Sequence, residues 1–197
     1  MPYMVNVRKF DEEEVLEKIL YVFWEKGYDS TSLDDLIKAT NVKRQSLYNA
    51  FGNKDDMFIL AYERYLKRTK KVIKAVAYAT DVPLAEALRA MLITLTNEIK
   101  NPNSPPGCFI ANSTVEFANK DGEITTKLQQ YYREIEQLFN DVLLHAQLHG
   151  RLSKDKNPSV LAMFLIGNIT SIAVLYRLNQ NPELITSMID EMLLLFT

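Results

Sequence analysis

The chain has one cysteine, Cys108, and two histidines, His145 and His149. A single thiol excludes an intramolecular disulfide framework and fits a reducing compartment. The histidines stand four apart, a spacing that can chelate zinc or nickel. No Glu adjoins His145, however, and no clear third ligand accompanies the pair, so no metal centre is expected. Near the stop at Gly150, positive charge on these side chains also suits the helix dipole. Glycine is scarce, six in all, and none builds a phosphate-cradling loop. There is no nucleophile elbow and no Cys beside a legible His base, so neither enzyme activity nor a cofactor is expected. An excess of either charge is missing too: 23 basic against 25 acidic residues leave a net −2, which gives no global hint of a polyanionic partner. The first ten residues, 1–10, lack the continuous apolar core of a secretion signal, and a cytoplasmic location is expected. The longest apolar run, Val160 to Tyr176, is broken by Asn168, Thr170 and Ser171 and is shorter than the ~20 residues a bilayer needs. It reads as a helix buried on most sides by protein, with no membrane partner.

What the chain does have is helical periodicity, in 197 residues that are 47% hydrophobic. That is enough to bury a core in one small and one larger domain. Val15, Leu16, Ile19, Leu20, Phe23 and Trp24 form an amphipathic stripe that ends at Gly27. Ser32 and Asp35 have the spacing of a capping box, and Leu33, Leu36 and Ile37 then share one face of a two-turn helix ending near Thr40. Asn41 tolerates the left-handed backbone of a sharp turn. A second short helix starts near Lys43, with Leu47 and Phe51 on the buried face beside Val42. Arg44, Gln45, Ser46, Tyr48 and Asn49 are left outward or at its edge. Two short helices joined this way, the second exposing small, polar and cationic groups, have the form expected of a DNA-reading helix-turn-helix.

Those outward groups match duplex chemistry. Arg pairs bidentately with guanine, Gln and Asn with adenine, and Ser, Tyr and Lys suit phosphate oxygens. Charge agrees once localised: from Leu36 to Lys54 there are Lys38, Lys43, Arg44 and Lys54 and no acid. Thr31 and Lys54 bracket the motif and are expected to clamp the DNA backbone, where counterion release favours clustered cations. The rival reading is a helical protein-interaction module without DNA binding. It differs in predicting no salt-dependent association with DNA.

Further along, a helix opens at Asp55 and runs to about Tyr78, its Lys67, Arg68, Lys70, Lys71 and Lys74 reading as solvated surface. Asp81-Val82-Pro83 reads as a cap followed by an early-turn proline for a helix carrying Leu84, Leu88, Met91, Leu92 and Leu95. Asn101 to Gly107 is a proline-rich loop. Cys108 is expected at a helix N-terminus, where the dipole can lower a thiol pKa; packing is the alternative role. Asn157-Pro158 and Asn181-Pro182 mark two more helix starts. A mostly hydrophobic ligand is expected among Leu88, Met91 and Leu95, Phe109, Asn112 and Glu116, Tyr131 and Ile135, and Met163. Against this, Asn112 and Ser113 could simply bond neighbouring backbone. The last two helices are too apolar for one small domain. They are expected to form a four-helix interface with a second copy through Gly167, Thr170, Ala173, Val174 and Arg177 on the first, and Leu184, Met188, Met192 and Leu195 on the second.

The stretch from Val15 to Tyr65 resembles the N-terminal domain of TetR-family transcriptional regulators. The segments that carry the likeness are Gly27-Tyr28-Asp29-Ser30-Thr31-Ser32-Leu33, Asn41 through Phe51 and Asn53 through Phe58. The resemblance implies an all-α homodimer with a three-helix DNA-binding head over 1–54, a helix 55–78 that connects, and a domain over 55–197 for a small effector and dimerisation. It also implies that the recognition helix falls on Lys43 to Asn49, with Tyr48 on the DNA backbone, Thr31 on a phosphate before the second helix, and Lys54 opening the fourth. Asn41 stands where relatives usually have Gly, Lys43 where they usually have a capping Ser, and Gln45 where many have Gly. The expected partners are a double-stranded inverted-repeat operator and a small effector that releases it. Repression is the commoner polarity in the family.

Overall fold

The structure is a computed structural model that describes residues 10–105 and 107–196, with Asn179 described by its backbone alone. Residues 1–9, which hold most of the segment read for a secretion signal, and Pro106 of the proline-rich loop lie outside the described residues. Every regular element among the described residues is helical. The chain divides into two compact units, one ending at Arg64 and the other starting at Tyr65. The division therefore falls inside a helix, later than the boundary at 54/55 that the sequence suggests.

The first unit holds α1 (Glu12–Lys26), α2 (Leu33–Thr40), α3 (Arg44–Phe51) and the opening turns of α4 (Lys54–Tyr78). Asp11 caps α1 by accepting from the N–H groups of Glu13 and Glu14, and three glutamates in the first turn complement the dipole. Val15, Ile19, Leu20, Phe23 and Trp24 are all buried, as their spacing requires. Leu36, Leu47, Phe51, Met57, Phe58 and Tyr62 complete this core. Phe58 sets its ring edge against Phe23 and Tyr28, each at 5.2 Å between centroids. Arg64 ties α4 to α1 through ion pairs with Glu13 and Glu17.

The second unit contains α4 from Tyr65 onward, α5 (Leu84–Lys100), α6 (Phe109–Phe117), α7 (Glu123–Leu148), α8 (Pro158–Asn179) and α9 (Pro182–Leu193). α8 packs on α7, α5 and α9. Asn157 and Asn181 cap α8 and α9, each with a proline in the first turn. The start of α5 differs from expectation. Pro83 is itself the cap residue in place of Asp81, and α5 starts without a side-chain cap bond from it.

α8 buries Leu161, Ala162, Leu165, Ile166, Ile172 and Ala173 and leaves its other side open. Val160 is 63% exposed, Val174 51% and Leu178 73%. By length and composition Pro158–Leu178 could cross a membrane, with a mean hydropathy of 1.9, and 33% of that window is buried. The expectation of burial on most sides therefore fails within one chain, because the described elements of the unit cover only one face. The apolar face expected on α9 is likewise split, with Ile185, Ile189 and Met192 inward and Leu184 outward.

Candidate nucleic-acid interface and ligand cavity

Local devices set the start of α2 and the turn between α2 and α3. Ser32 accepts from the Asp35 N–H at 3.2 Å while the Asp35 carboxylate accepts from the Ser32 N–H at 2.9 Å, a complete capping box. Lys26 pairs with the same carboxylate and holds its pKa well below the usual range, helped by the bonds from Ser32. Asn41 takes the left-handed conformation, φ 57°, and its N–H donates to the Ile37 carbonyl at 2.8 Å. Thr40, expected only as the helix end, donates to the Leu36 carbonyl at 2.7 Å and accepts from the Val42 N–H at 3.3 Å.

Leu47 and Phe51 anchor α3, and Leu47 is fully buried. Burying a leucine side chain contributes roughly 1.5–3 kcal/mol, which fixes the rotation of so short a helix. Lys43, Arg44, Gln45, Tyr48 and Asn49 are consequently exposed together, with Ser46 half-buried at the edge. Lys43 gives α3 no side-chain cap, and the positive end of the helix dipole lies at this exposed terminus. Gln45 Nε2 donates to Asn49 Oδ1 at 2.9 Å, which aligns two base-reading amides one turn apart. Arg44 bonds Asp34 on α2 at 3.0 Å.

The helix that follows is set by a device absent from the sequence reading. Asn53 accepts from the Asp56 N–H at 3.0 Å and Asp56 accepts from the Asn53 N–H at 2.9 Å. The N-x-x-D spacing could have announced it. Gly52, at φ 80°, is required twice over, since a Cβ there would also run into the Asp56 carboxylate. Lys54 Nζ stands 4.3 Å from the centre of the Tyr28 ring.

Thr31 departs from the implied role. Its hydroxyl donates to the Gly27 carbonyl at 2.6 Å and the residue is 1% exposed, so the side chain braces the α1–α2 turn rather than facing a phosphate.

In the second unit a cavity of about 370 Å³ lies among α4, α5, α6, α7 and α8. Of the expected ligand residues it is lined by Leu95 and Ile135. The others fall elsewhere for reasons of helix phase. Leu88 and Phe109 are buried core, and Met91 lines a separate hollow against α4. Met163 is on the open face of α8. Tyr131, Asn112 and Glu116 are half-buried outside the lining. Tyr132, not Tyr131, shares a face with Ile135 and Phe139. Sequence reasoning also missed the α4 wall, Tyr65, Thr69 and Ile73, whose i, i+4, i+8 spacing was legible. Gly167 and Thr170, expected at a dimer interface, are exposed and line this cavity as well. Ala173 and Met192 are buried within their own chain, so those two are not available to a second copy in this arrangement.

Cys108 lines the cavity at the cap position of α6, and the Tyr65 hydroxyl donates to its sulfur at 3.7 Å. Burial pushes the thiol pKa up, against the lowering expected from the helix end, because desolvating the thiolate outweighs the nearby N–H groups. The rings of His145 and His149 lie 4.1 Å apart. Among the described residues no three His, Cys, Asp or Glu side chains gather as a metal site.

The three-helix head with its exposed, cation-bearing second motif helix defines a helix-turn-helix DNA-binding protein. The family model described as "Bacterial regulatory proteins, tetR family" matches residues 15–61, and "Tetracyclin repressor-like, C-terminal domain" matches residues 85–192. An uncharacterized HTH-type transcriptional regulator of Bacillus subtilis, YezE, is 30% identical over 186 residues, covering 93% of this chain and 94% of the relative. The HTH-type transcriptional repressor ComR of Escherichia coli is 29% identical over 156 residues, covering 79% and 74%. A cysteine mutant of the regulator CifR, solved in complex with 26-bp operator DNA, has the same fold at a TM-score of 0.81. It is 23% identical, covering 96% of this chain and 98% of that one. The chain belongs to the TetR family and is a DNA-binding transcriptional regulator.

Proposed function

We propose that the chain acts as a homodimeric repressor in the cytoplasm, bound to an inverted-repeat operator and released when a small apolar effector enters the cavity of the second unit. On this reading it is a binding protein without a reaction of its own. One observation carries the proposal: α4 opens directly after the recognition helix, and its later residues Tyr65, Thr69 and Ile73 wall the cavity. An occupant that favours one setting of α4 then biases where α3 can stand. Two recognition helices must match major grooves about 34 Å apart or a multiple of it, so a small shift abolishes simultaneous docking. Lys43, Arg44, Gln45, Ser46, Tyr48, Asn49 and Lys54 provide the DNA contacts.

The test is to select bound fragments from genomic DNA and titrate the recovered duplex with protein. Affinity that falls steeply with added salt and requires both half-sites supports the proposal. Equal affinity for scrambled DNA rejects it.

A further inference from the structure

The chemistry of the cavity wall narrows the occupant further than apolarity alone, an inference that rests on reading this cavity as the effector site. Among the described residues lining it, none is Asp, Glu, Lys, Arg or His. Its polar groups are hydroxyls and one thiol. The Thr69 hydroxyl donates to the Tyr65 carbonyl at 3.2 Å and the Thr114 hydroxyl to the Ile110 carbonyl at 2.8 Å. Both protons are therefore spent on the helices that carry them, and what these threonines can offer an occupant is lone pairs.

Behind this wall stands an ion pair, Glu98 with Arg68. Glu98, next to the lining residue Ile99 and 3.9 Å from Arg68, acts on both Tyr65 and Cys108. Burial above all, with a lesser contribution from the Glu98 field, pushes the phenol and the thiol toward their neutral forms. An ionised ligand entering here would give up its hydration with no counter-charge in the lining to replace it.

We propose that the cavity selects an uncharged, hydrocarbon-rich molecule that bears a hydroxyl or another neutral hydrogen-bond donor, and rejects the carboxylate of the same shape. The donor meets the lone pairs of Thr69 or Thr114, and the hydrocarbon body lies against Leu95, Ile135, Phe139 and Ile166. The volume falls within the roughly 300–1,000 Å³ usual for small-molecule sites, which suits one or two fused rings.

Matched pairs test this on the full-length protein: 2-naphthalenemethanol against 2-naphthoate, and 4-isopropylbenzyl alcohol against 4-isopropylbenzoate. Calorimetry reads binding, and fluorescence anisotropy of a labelled operator separately reads release. The expected result is an alcohol bound about a hundredfold or more tighter than its carboxylate. The Thr69→Lys variant, checked for helicity by circular dichroism, should reverse the preference by supplying the missing cation. A carboxylate bound as tightly as its alcohol by the wild type overturns the proposed class, as does failure of both alcohols to bind up to their solubility limits. An alcohol that binds without releasing DNA leaves the class standing and removes the effector reading. A carboxylate that binds as tightly as its alcohol and releases DNA does the reverse.

Discussion

Arg44 Nη2 lies 3.0 Å from Asp34 Oδ1, so in the unbound protein an arginine placed to read a base edge is held by a carboxylate of the preceding helix. Both side chains are well exposed, and pairs of that kind contribute about 0.2–1 kcal/mol. A bidentate contact to guanine is worth roughly 1–3 kcal/mol. DNA therefore wins the exchange, but the free pair lowers its net gain. Asp34→Ala should tighten binding to operator and non-specific DNA by up to about fivefold, since it frees Arg44 and removes a negative charge beside the groove. Anisotropy titrations at fixed salt measure it, and unchanged affinity would mean that Asp34 does not compete with DNA for Arg44.

Lys54 is placed differently. Its ammonium sits over the Tyr28 ring, and the Tyr28 hydroxyl bonds the Asp55 carboxylate, so the opening of α4 is tied to the segment after α1. A cation fixed in this way meets a phosphate as a point charge and reads no sequence. Lys54→Gln should weaken operator and random DNA by similar factors and reduce the slope of log affinity against log salt by about 0.9. Lys54→Arg should keep the slope. Identical slopes for wild type and the glutamine variant would remove Lys54 from the interface.

The local signals that start and stop these helices were legible in the sequence. A capping box at Ser32 and Asp35, a left-handed Asn41 and the Asn-Pro starts of α8 and α9 each involve a few neighbouring residues, and each is present. The cavity was not legible in the same way, because its walls come from five helices and depend on their rotations about their own axes. One step in phase separates Tyr131 from the lining residue Tyr132, and periodicity alone does not settle which tyrosine faces inward. Thr31 shows the same limit on a smaller scale. Its position beside the motif was evident, but the inward turn of its hydroxyl depends on the course of the loop that brings the Gly27 carbonyl within reach.

Acid should loosen the reading head through Asp35. Lys26 and Ser32 hold this carboxyl far below the ordinary aspartate value of 3.8, so its folded pKa is depressed. A depressed carboxylate contributes stability that is present above the unfolded pKa and is lost as pH falls toward the folded one. The expected loss develops over roughly pH 5 to pH 1, the window in which paired carboxylates become protonated. Denaturant unfolding followed across that range should show a steeper acid decline for wild type than for Asp35→Asn, which is less stable at neutral pH and has no such carboxyl to titrate. Parallel declines would assign the acid sensitivity to other groups.

The open face of α8 makes the sharpest demand on assembly. Val160, Met163, Phe164, Val174 and Leu178 are exposed on one side of this helix, with Gly167 and Thr170 among them. Gly167 has open space where a Cβ would be, so a second helix can approach closely at the middle of the stripe. If a second copy packs here, Val174→Glu places a desolvated, unpaired carboxylate in the interface, at a cost of roughly 2–5 kcal/mol. The dimer dissociation constant should then rise about thirtyfold or more, measured by sedimentation velocity, while circular dichroism stays unchanged. Operator affinity should fall with it, because each half-site is then bound alone. Ala173→Glu is the contrasting substitution: Ala173 is buried inside its own chain, so the variant should lose helicity and thermal stability before it loses partners. A wild-type protein that sediments as a monomer at micromolar concentration, or a Val174→Glu variant that dimerises as well as wild type, would show that this face serves something other than a second copy.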